Sequence, residues 1–434
     1  MIWQQEECLS RDEMHALQSK RLIDTVNRVY QNVPFYKSKM DELGIETGDI
    51  KDIDDIIKLP FTTKQDLRDN YPYKLFAVPM KKVTRVHASS GTTGKPTVVG
   101  YTQNDLALWS DCIARFYAAM GVTEDDVVQN ALGYGFFTGG LGFHYGAERF
   151  GATIVPISTG NTKKQIQVMQ EFGSTILVCT PSYAVYLGES MKGLGIDPRS
   201  IGIKAAPLGG EPWTYEMRAQ IEDLWGMKAH DSYGLSEIIG PGVAFECQQQ
   251  NHLHINEDHF FPEIIHVDTL EAVPYGEAGE LVFTCITKEA LPLLRYRTRD
   301  ISSLIDTPCG CGRTTTRMTK CAGRTDDMLI IRGVNVFPSQ IESVLLNLGE
   351  TAPHYVLIVD KVNNLDTLEV WVEGKEGVTF VDGMRHMKAI EKKITDEIRS
   401  VLGIQVKVKL VEHKTIERSE GKAKRIIDRR NQKI

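Results

Sequence analysis

What most constrains the fold is a repeated change of rhythm between residues 83 and 231. Short apolar runs at 127–131, 153–156, 175–179 and 204–207 alternate with longer segments of helical period. The clearest of these carries Leu106, Trp109, Ile113, Phe116 and Met120 at steps of three and four, and Gly121 ends it. Short strands that alternate with helices build a mainly parallel sheet covered by helices on both faces, so the fold class is α/β. Residues 1–30 read as a helix, with Ser10 and Glu13 at capping-box spacing.

The rhythm changes twice more. From about 240 to 322 the runs are short, β-like and rich in turn residues, which predicts an appended antiparallel or barrel-like section. From 326 the order is strand 328–331, helix 338–348, strands 355–359 and 368–373, helix 382–402 and strand 406–411. Pro338 suits a first helical turn, where a missing N–H costs nothing. This predicts a compact α+β domain. The expected division is a large N-terminal domain, 1–325, and a small C-terminal domain, 326–434.

Charge narrows the partners. The net charge is −7 at pH 7, against a dedicated nucleic-acid or anionic-membrane binder. No run approaches the roughly 20 apolar residues of a membrane helix. The charged N-terminus has no signal-like apolar region, so a cytoplasmic protein is expected. Charge is also uneven. Residues 413–434 hold eight basic and three acidic side chains, which makes either a solvated tail or a cationic segment serving an anion. Cys247, Cys285, Cys309, Cys311 and Cys321 cluster within the β-rich section. In a reducing compartment that pattern favours metal over disulfides.

The sharpest local feature is Ser89-Ser90-Gly91-Thr92-Thr93-Gly94-Lys95-Pro96. Small residues let backbone N–H groups converge on an anion, and four hydroxyls with one ammonium add donors. A phosphate chain is the natural ligand. It is not a Walker A loop, because Ser89 stands where that loop needs glycine and Pro96 where it needs Ser or Thr.

This string resembles the phosphate loop of the adenylate-forming, or acyl-CoA synthetase, superfamily. Phe61-Thr62-Thr63-Lys64, Gly209-Gly210-Glu211, Tyr233-Gly234-Leu235-Ser236-Glu237, Tyr296-Arg297-Thr298-Arg299-Asp300, Gly323-Arg324-Thr325-Asp326-Asp327 and Gly421-Lys422 follow in the family's order. Within the superfamily the chain resembles the phenylacetate–CoA ligases. Gly133-Tyr134-Gly135-Phe136-Phe137-Thr138-Gly139-Gly140 and Glu257-Asp258-His259-Phe260 carry that resemblance.

The resemblance implies ATP-dependent activation of a carboxylate as acyl-AMP, then transfer to the CoA thiol. A carboxylate acylates poorly because oxide would have to leave; AMP leaves readily. Ser89, Ser90, Gly91, Thr92, Thr93, Gly94 and Lys95 would hold the β- and γ-phosphates, and Glu237 the Mg2+. Gly210, Glu211, Asp231, Ser232 and Tyr233, with Gly234 and Ser236 of the same motif, would line the nucleotide. Asp300 would take the ribose hydroxyls, and Arg324 ribose or phosphate. Lys422 would bridge carboxylate and α-phosphate, with Lys424 as the alternative. Asp326 would be the hinge that makes the small domain mobile, and the segment around Gly333 would face CoA. Tyr134, Phe136 and Phe137 are either an aromatic acyl slot or core residues.

Cys309-Gly310-Cys311 places two thiols on one turn. Cys247 with His254, or with His252 as the alternative, completes a Cys₃His set for a structural zinc; the family pattern favours His254. A homodimer is the family habit. Two other readings remain: an adenylyltransferase with a different acceptor, of the deazaflavin type, and a non-catalytic nucleotide-binding protein.

Overall fold

The computed structural model describes residues 1–89, 96–325, 328–331, 334–362, 365–375, 384–419 and 421–430. The contacts divide it into two compact units.

The first unit comprises Met1–Cys179, Ile201–Gly210 and Lys228–Cys321. It opens on helix Arg11–Asn32, where Ser10 and Glu13 cap each other reciprocally as their spacing predicts. Helix Gln103–Met120 buries Trp109, Ile113, Phe116 and Met120 on one stripe. Gly121 ends it at φ 83°, a left-handed conformation that suits glycine.

The central sheet has nine strands. Thr153–Val155, Val127–Asn130, Ile176–Val178, Ala205–Gly209 and Lys228–Leu235 lie side by side and parallel. These are the four expected strands plus one that ends in the Tyr233 motif. Beyond Lys228–Leu235 the ladder turns antiparallel, through Gly240–Glu246, Leu253–Ile255, Arg317–Met318 and Leu304–Ile305. The β-rich section is therefore partly an extension of the same sheet. Its remainder is the antiparallel set Phe260–Ile265, Gly279–Cys285 and Tyr296–Ser302. Arg85–Ala88 pairs antiparallel with Val98–Tyr101, so these two strands flank the glycine-rich string in sequence.

The second unit comprises Thr180–Ser200, Glu211–Met227 and Ala322–Ile434. Thr351–Val362 and Leu365–Gly374 pair antiparallel, with Lys407–Val411 and Ile426–Asp428 added in parallel on either side. Helices Pro338–Asn347 and Met384–Leu402 contribute Ile341, Leu345, Ile394 and Ile398 to its core, beside Leu357, Val359, Val370 and Val372. The order matches the α+β pattern read from the sequence, with the short strands Val334–Val336 and Ile426–Asp428 unread.

The unit also takes in helices Pro181–Gly193 and Tyr215–Trp225. Polar contacts account for this. Ser343 Oγ donates to Glu216 at 2.8 Å, and His354 Nε2 lies 3.0 Å from Glu189. Among the described residues no helix is long and apolar enough to cross a membrane.

Candidate active site and metal cluster

In an open parallel sheet, ligands bind beyond the carboxyl ends of the strands. Three strand ends of the first unit carry residues named from the sequence. Ala205–Gly209 runs into Gly210, whose φ of 83° again needs a residue without Cβ. A Cβ on Gly209 would strike the Ser232 carbonyl oxygen across the ladder. Lys228–Leu235 carries Asp231, Ser232, Tyr233 and Gly234.

Tyr233 donates its hydroxyl to Asp300 Oδ2 at 2.6 Å, joining strand Lys228–Leu235 to strand Tyr296–Ser302. Burial of the phenol, then the Asp300 carboxylate, pushes Tyr233 well above the ordinary range, so it stays a donor. Asp231 pairs with Lys320 at 3.1 Å. The Ser232 hydroxyl is buried with no hydrogen-bond partner among the described residues, an open polar valence in the segment expected to meet adenine.

Ser236 and Glu237 follow on the next turn. Ser236 Oγ lies 3.1 Å from Thr138 Oγ1. The buried Glu237 carboxylate has the Lys64 ammonium 3.9 Å away, so it already faces a cation. Two side chains that sequence reasoning passed over hold this turn. The buried Lys288 ammonium donates to the Ile238 carbonyl at 2.7 Å, and Tyr101 donates to Ile239 O at 2.9 Å. Lys288 also sits over the Tyr101 ring, and its burial lowers its pKa. A lone buried lysine between two apolar runs gives no periodic signal.

At the hairpin, Ser89 N donates to Thr97 O and Thr97 N to Ser89 Oγ, closing the neck of the glycine-rich loop. Ser90, Gly91, Thr92, Thr93, Gly94 and Lys95 lie outside the described residues, as do Asp326 and Gly333.

The third strand end is Val127–Asn130. Asn130 Nδ2 donates to the Tyr134 hydroxyl at 2.9 Å and to Gly140 O at 2.7 Å. The Tyr134 hydroxyl is 3.3 Å from His144 Nδ1, and His144 Nε2 is 3.1 Å from Glu148. Burial pushes Tyr134 up to about 12. Phe136 is 73% exposed and Phe137 37%, so neither is a core residue. Gly140 packs so closely that a Cβ would strike the Gly133 carbonyl, which is why this string needs glycine there.

Cys247, His254, Cys309 and Cys311 come together, with their ligand atoms all within 4.8 Å of one another. Cys247 follows strand Gly240–Glu246, and His254 lies on its neighbour Leu253–Ile255. Cys309 Sγ is 3.8 Å from Cys247 Sγ, and Cys311 Sγ is 3.4 Å from His254 Nε2. His254 Nδ1 pairs with Thr315 Oγ1 at 3.1 Å, which aims Nε2 at the thiols. His252 is not in the group; it sits at φ 69°.

In the second unit Lys422 is exposed, on a loop held at both flanks. Thr180 Oγ1 donates to Gly421 O at 2.9 Å, and Ala423 N donates to Glu211 Oε2 at 2.8 Å. Ser182 N fills the other Glu211 oxygen at 2.7 Å. Arg324 is half-buried in the short strand Gly323–Arg324.

Comparison with known proteins agrees with this geometry. A family model described as AMP-binding enzyme matches residues 45–285, and one for the AMP-binding enzyme C-terminal domain matches 333–430. The phenylacetate-coenzyme A ligase of Thermus thermophilus is 47% identical, over 99% of this chain and 100% of that one. Its Escherichia coli counterpart is 48% identical over 98% and 97%. Among solved structures, a 2-hydroxyisobutyryl-CoA ligase in complex with R3-HIB-AMP superposes with a TM-score of 0.92 at 26% identity, covering 98% of this chain and 91% of that one. Motif order, strand-end geometry and near half-identity over the full length agree: the chain belongs to the phenylacetate–coenzyme A ligases of the adenylate-forming superfamily.

Proposed function

We propose that this ATP-dependent acid–thiol ligase activates phenylacetate or a closely related arylacetate and passes it to coenzyme A. In the first step a carboxylate oxygen attacks the α-phosphorus of ATP, the bond to the β-phosphate oxygen breaks, and pyrophosphate leaves. In the second the CoA sulfur attacks the acyl carbon, AMP leaves with the carboxyl-derived oxygen, and the thiol proton goes to solvent or base. Both steps crowd anions, so the site must supply donors and cations where charge develops. The observation that carries the reading is the Tyr233–Asp300 hydrogen bond. It sets the Asp300 carboxylate, the group proposed to take the ribose, beside Tyr233, which lies four residues before Glu237.

Residue roles are part of the proposal. Ser89 to Lys95 cradle the β- and γ-phosphates. Asp300 takes the ribose, and 210–211 with 231–233 flank adenine. Lys422 draws the carboxylate and α-phosphate together. Arg324 reaches ribose or phosphate. Asp326 is the hinge between 1–325 and the mobile domain 326–434, and Gly333 lines the thiol's approach. Tyr134 and Phe136 face the aryl group. Glu237 would hold Mg2+, which when bound supplies neutralising charge to the phosphates; a carboxylate with one cation at 3.9 Å and an edge of exposure fits that task.

Cys247, His254, Cys309 and Cys311 would hold zinc. The donor set is the Cys₃His type, and four protein ligands leave no open position, so the role is structural. A cytoplasmic homodimer completes the proposal, and light scattering on the eluting protein checks the dimer.

The test is pyrophosphate release across a panel of carboxylic acids, with and without CoA. Arylacetate-dependent pyrophosphate and CoA-dependent AMP are expected. AMP release that needs an acceptor other than CoA would overturn the reading.

A further inference from the structure

The loop of Lys422 is fastened on both sides of the lysine by bonds to its backbone, and flanking adenine does not account for those bonds. We infer that Thr180 and Glu211 form a docking cradle that holds the lysine loop for the adenylation step. Thr180 is thereby a positioning residue, and the Glu211 side chain shares that role. This rests on Lys422 being the lysine of adenylation.

The geometry is specific to this loop. Thr180 caps helix Pro181–Gly193 with its hydroxyl oxygen, which accepts from Tyr183 N at 3.3 Å. The same hydroxyl spends its one proton on Gly421 O at 2.9 Å. Glu211 accepts two backbone N–H groups, one on each oxygen: Ser182 N from the first turn of that helix and Ala423 N from the loop. A carboxylate between two N–H groups joins them as no neutral side chain of its size does, because each oxygen presents only acceptors. The two bonds bracket Lys422, one residue before it and one after.

The loop is also closed on itself. Ser419 Oγ donates to Lys422 O at 2.8 Å and accepts from Gly421 N at 3.2 Å. Four anchored backbone groups, Gly421 N, Gly421 O, Lys422 O and Ala423 N, hold the loop around the exposed Lys422 side chain. Thr180 and Glu211 belong to segments that precede residue 326, whereas the loop follows it. Under the proposed hinge, rotation of 326–434 would break both bonds, and the thioester step would run without them.

The experiment compares half-reactions in the full-length enzyme. Adenylation is read as pyrophosphate release, and thioester formation is read from supplied acyl-AMP and CoA. Thr180→Ala should lower adenylation about tenfold more than thioester formation, a difference of about 1.4 kcal/mol. Thr180→Ser keeps both the cap and the donor, and should restore most of the loss. In Glu211→Gln an amide NH₂ must face one of the two N–H groups, and a comparable skew is expected.

Equal loss of both half-reactions in Thr180→Ala and Glu211→Gln would overturn the cradle, leaving only a helix cap and a packing residue. Lys422→Ala is run beside them. If it too fails to separate the half-reactions, the assignment of the lysine has failed. If it separates them and the cradle variants do not, the cradle alone has failed.

Discussion

Asp258 offers the sharpest quantitative test of how this chain is held together. Arg115 and Asp258, 1% and 0% exposed, meet through two parallel bonds of 2.8 and 3.0 Å. Arg115 also donates to Asn256 Oδ1 and Gln4 Oε1. Removing one partner of a buried pair strands the other charge, which costs about 3–5 kcal/mol. Asp258→Asn keeps the volume and removes the charge, so it isolates that term. At about 2 °C per kcal/mol for a domain this large, the unfolding midpoint should fall by roughly 6–10 °C. Asp41→Asn is the control: it breaks an exposed, solvent-screened Lys37–Asp41 pair at i,i+4, beside a Tyr30 hydroxyl, and should barely move the midpoint.

The pH dependence has a definite sign. Burial opposes ionisation of Asp258, but His259, Arg115 and Arg21 outweigh it and hold the carboxyl well below the usual range. Burial pushes His259 itself down to about 3, so at pH 7 it is neutral and the arginines carry the effect. A carboxyl lowered in the fold contributes fully above its unfolded pKa of about 3.9 and is lost as pH falls through the folded value. The gap between wild type and Asp258→Asn should thus be full at pH 7 and begin to narrow below about pH 4. Thermal melts from pH 7 to pH 3 read it. Equal losses in Asp258→Asn and Asp41→Asn at pH 7 would refute the reasoning, because the two sites differ in burial and in the charge that each carboxylate leaves stranded.

Further outcomes follow from the proposed roles. Lys422→Ala should lose most adenylation yet form thioester from supplied acyl-AMP; Asp326→Pro should slow the thioester step more than adenylation. Protein purified without added zinc should carry close to stoichiometric metal, and Cys311→Ser should lose it with a lower melting midpoint; metal-free wild type of unchanged stability would contradict the structural role. Tyr134→Phe should change the KM for the aryl acid more than that for ATP, since only a hydroxyl bonded to Asn130 and near His144 is removed; equal shifts in both would place Tyr134 away from the acyl group.

The parts legible in the sequence are those set by period and punctuation. Four of the five parallel strands are legible because each is a short apolar run between helices, whereas Lys228–Leu235 is too polar to give that signal, and the Gln103–Met120 helix is legible because its stripe and its glycine stop coincide. The cysteine group was readable from spacing, though choosing His254 over His252 required the ladder that pairs His254 with Phe245 and Arg317. Other features depend on tertiary contacts that spacing does not encode. Glu257-Asp258-His259-Phe260 marked the family, yet its acids prove to be buried structural partners: Glu257 accepts from Arg11 and from Thr316 N, and Asp258 holds Arg115. Lys288 and Thr180 act through single bonds to backbone carbonyls far along the chain, 50 and 241 residues away.

The basic tail shows why such contacts matter for function. Its charge suggested either a solvated arm or a cationic segment for an anion, and an arm would deliver a lysine poorly because its position would cost entropy at each turnover. Its arginines are instead wired into the second unit. Arg418 bonds both oxygens of the buried Glu373 at 2.7 Å, Arg425 lies 3.7 Å from Glu342, and Arg430 holds Asp428 at 2.6 Å. Strand Ile426–Asp428, four residues after Lys422, is hydrogen-bonded into the sheet beside Thr351–Val362. The tail is thus a sheet edge plus one loop, with Arg418 and Arg425 turned to the buried Glu373 and Glu342. Lys422 and Lys424 keep exposed side chains, and the rigid strand fixes how far either can travel. A lysine so mounted would travel with its domain. Under the proposed roles, that would let one site supply a cation for the first reaction and withdraw it for the second.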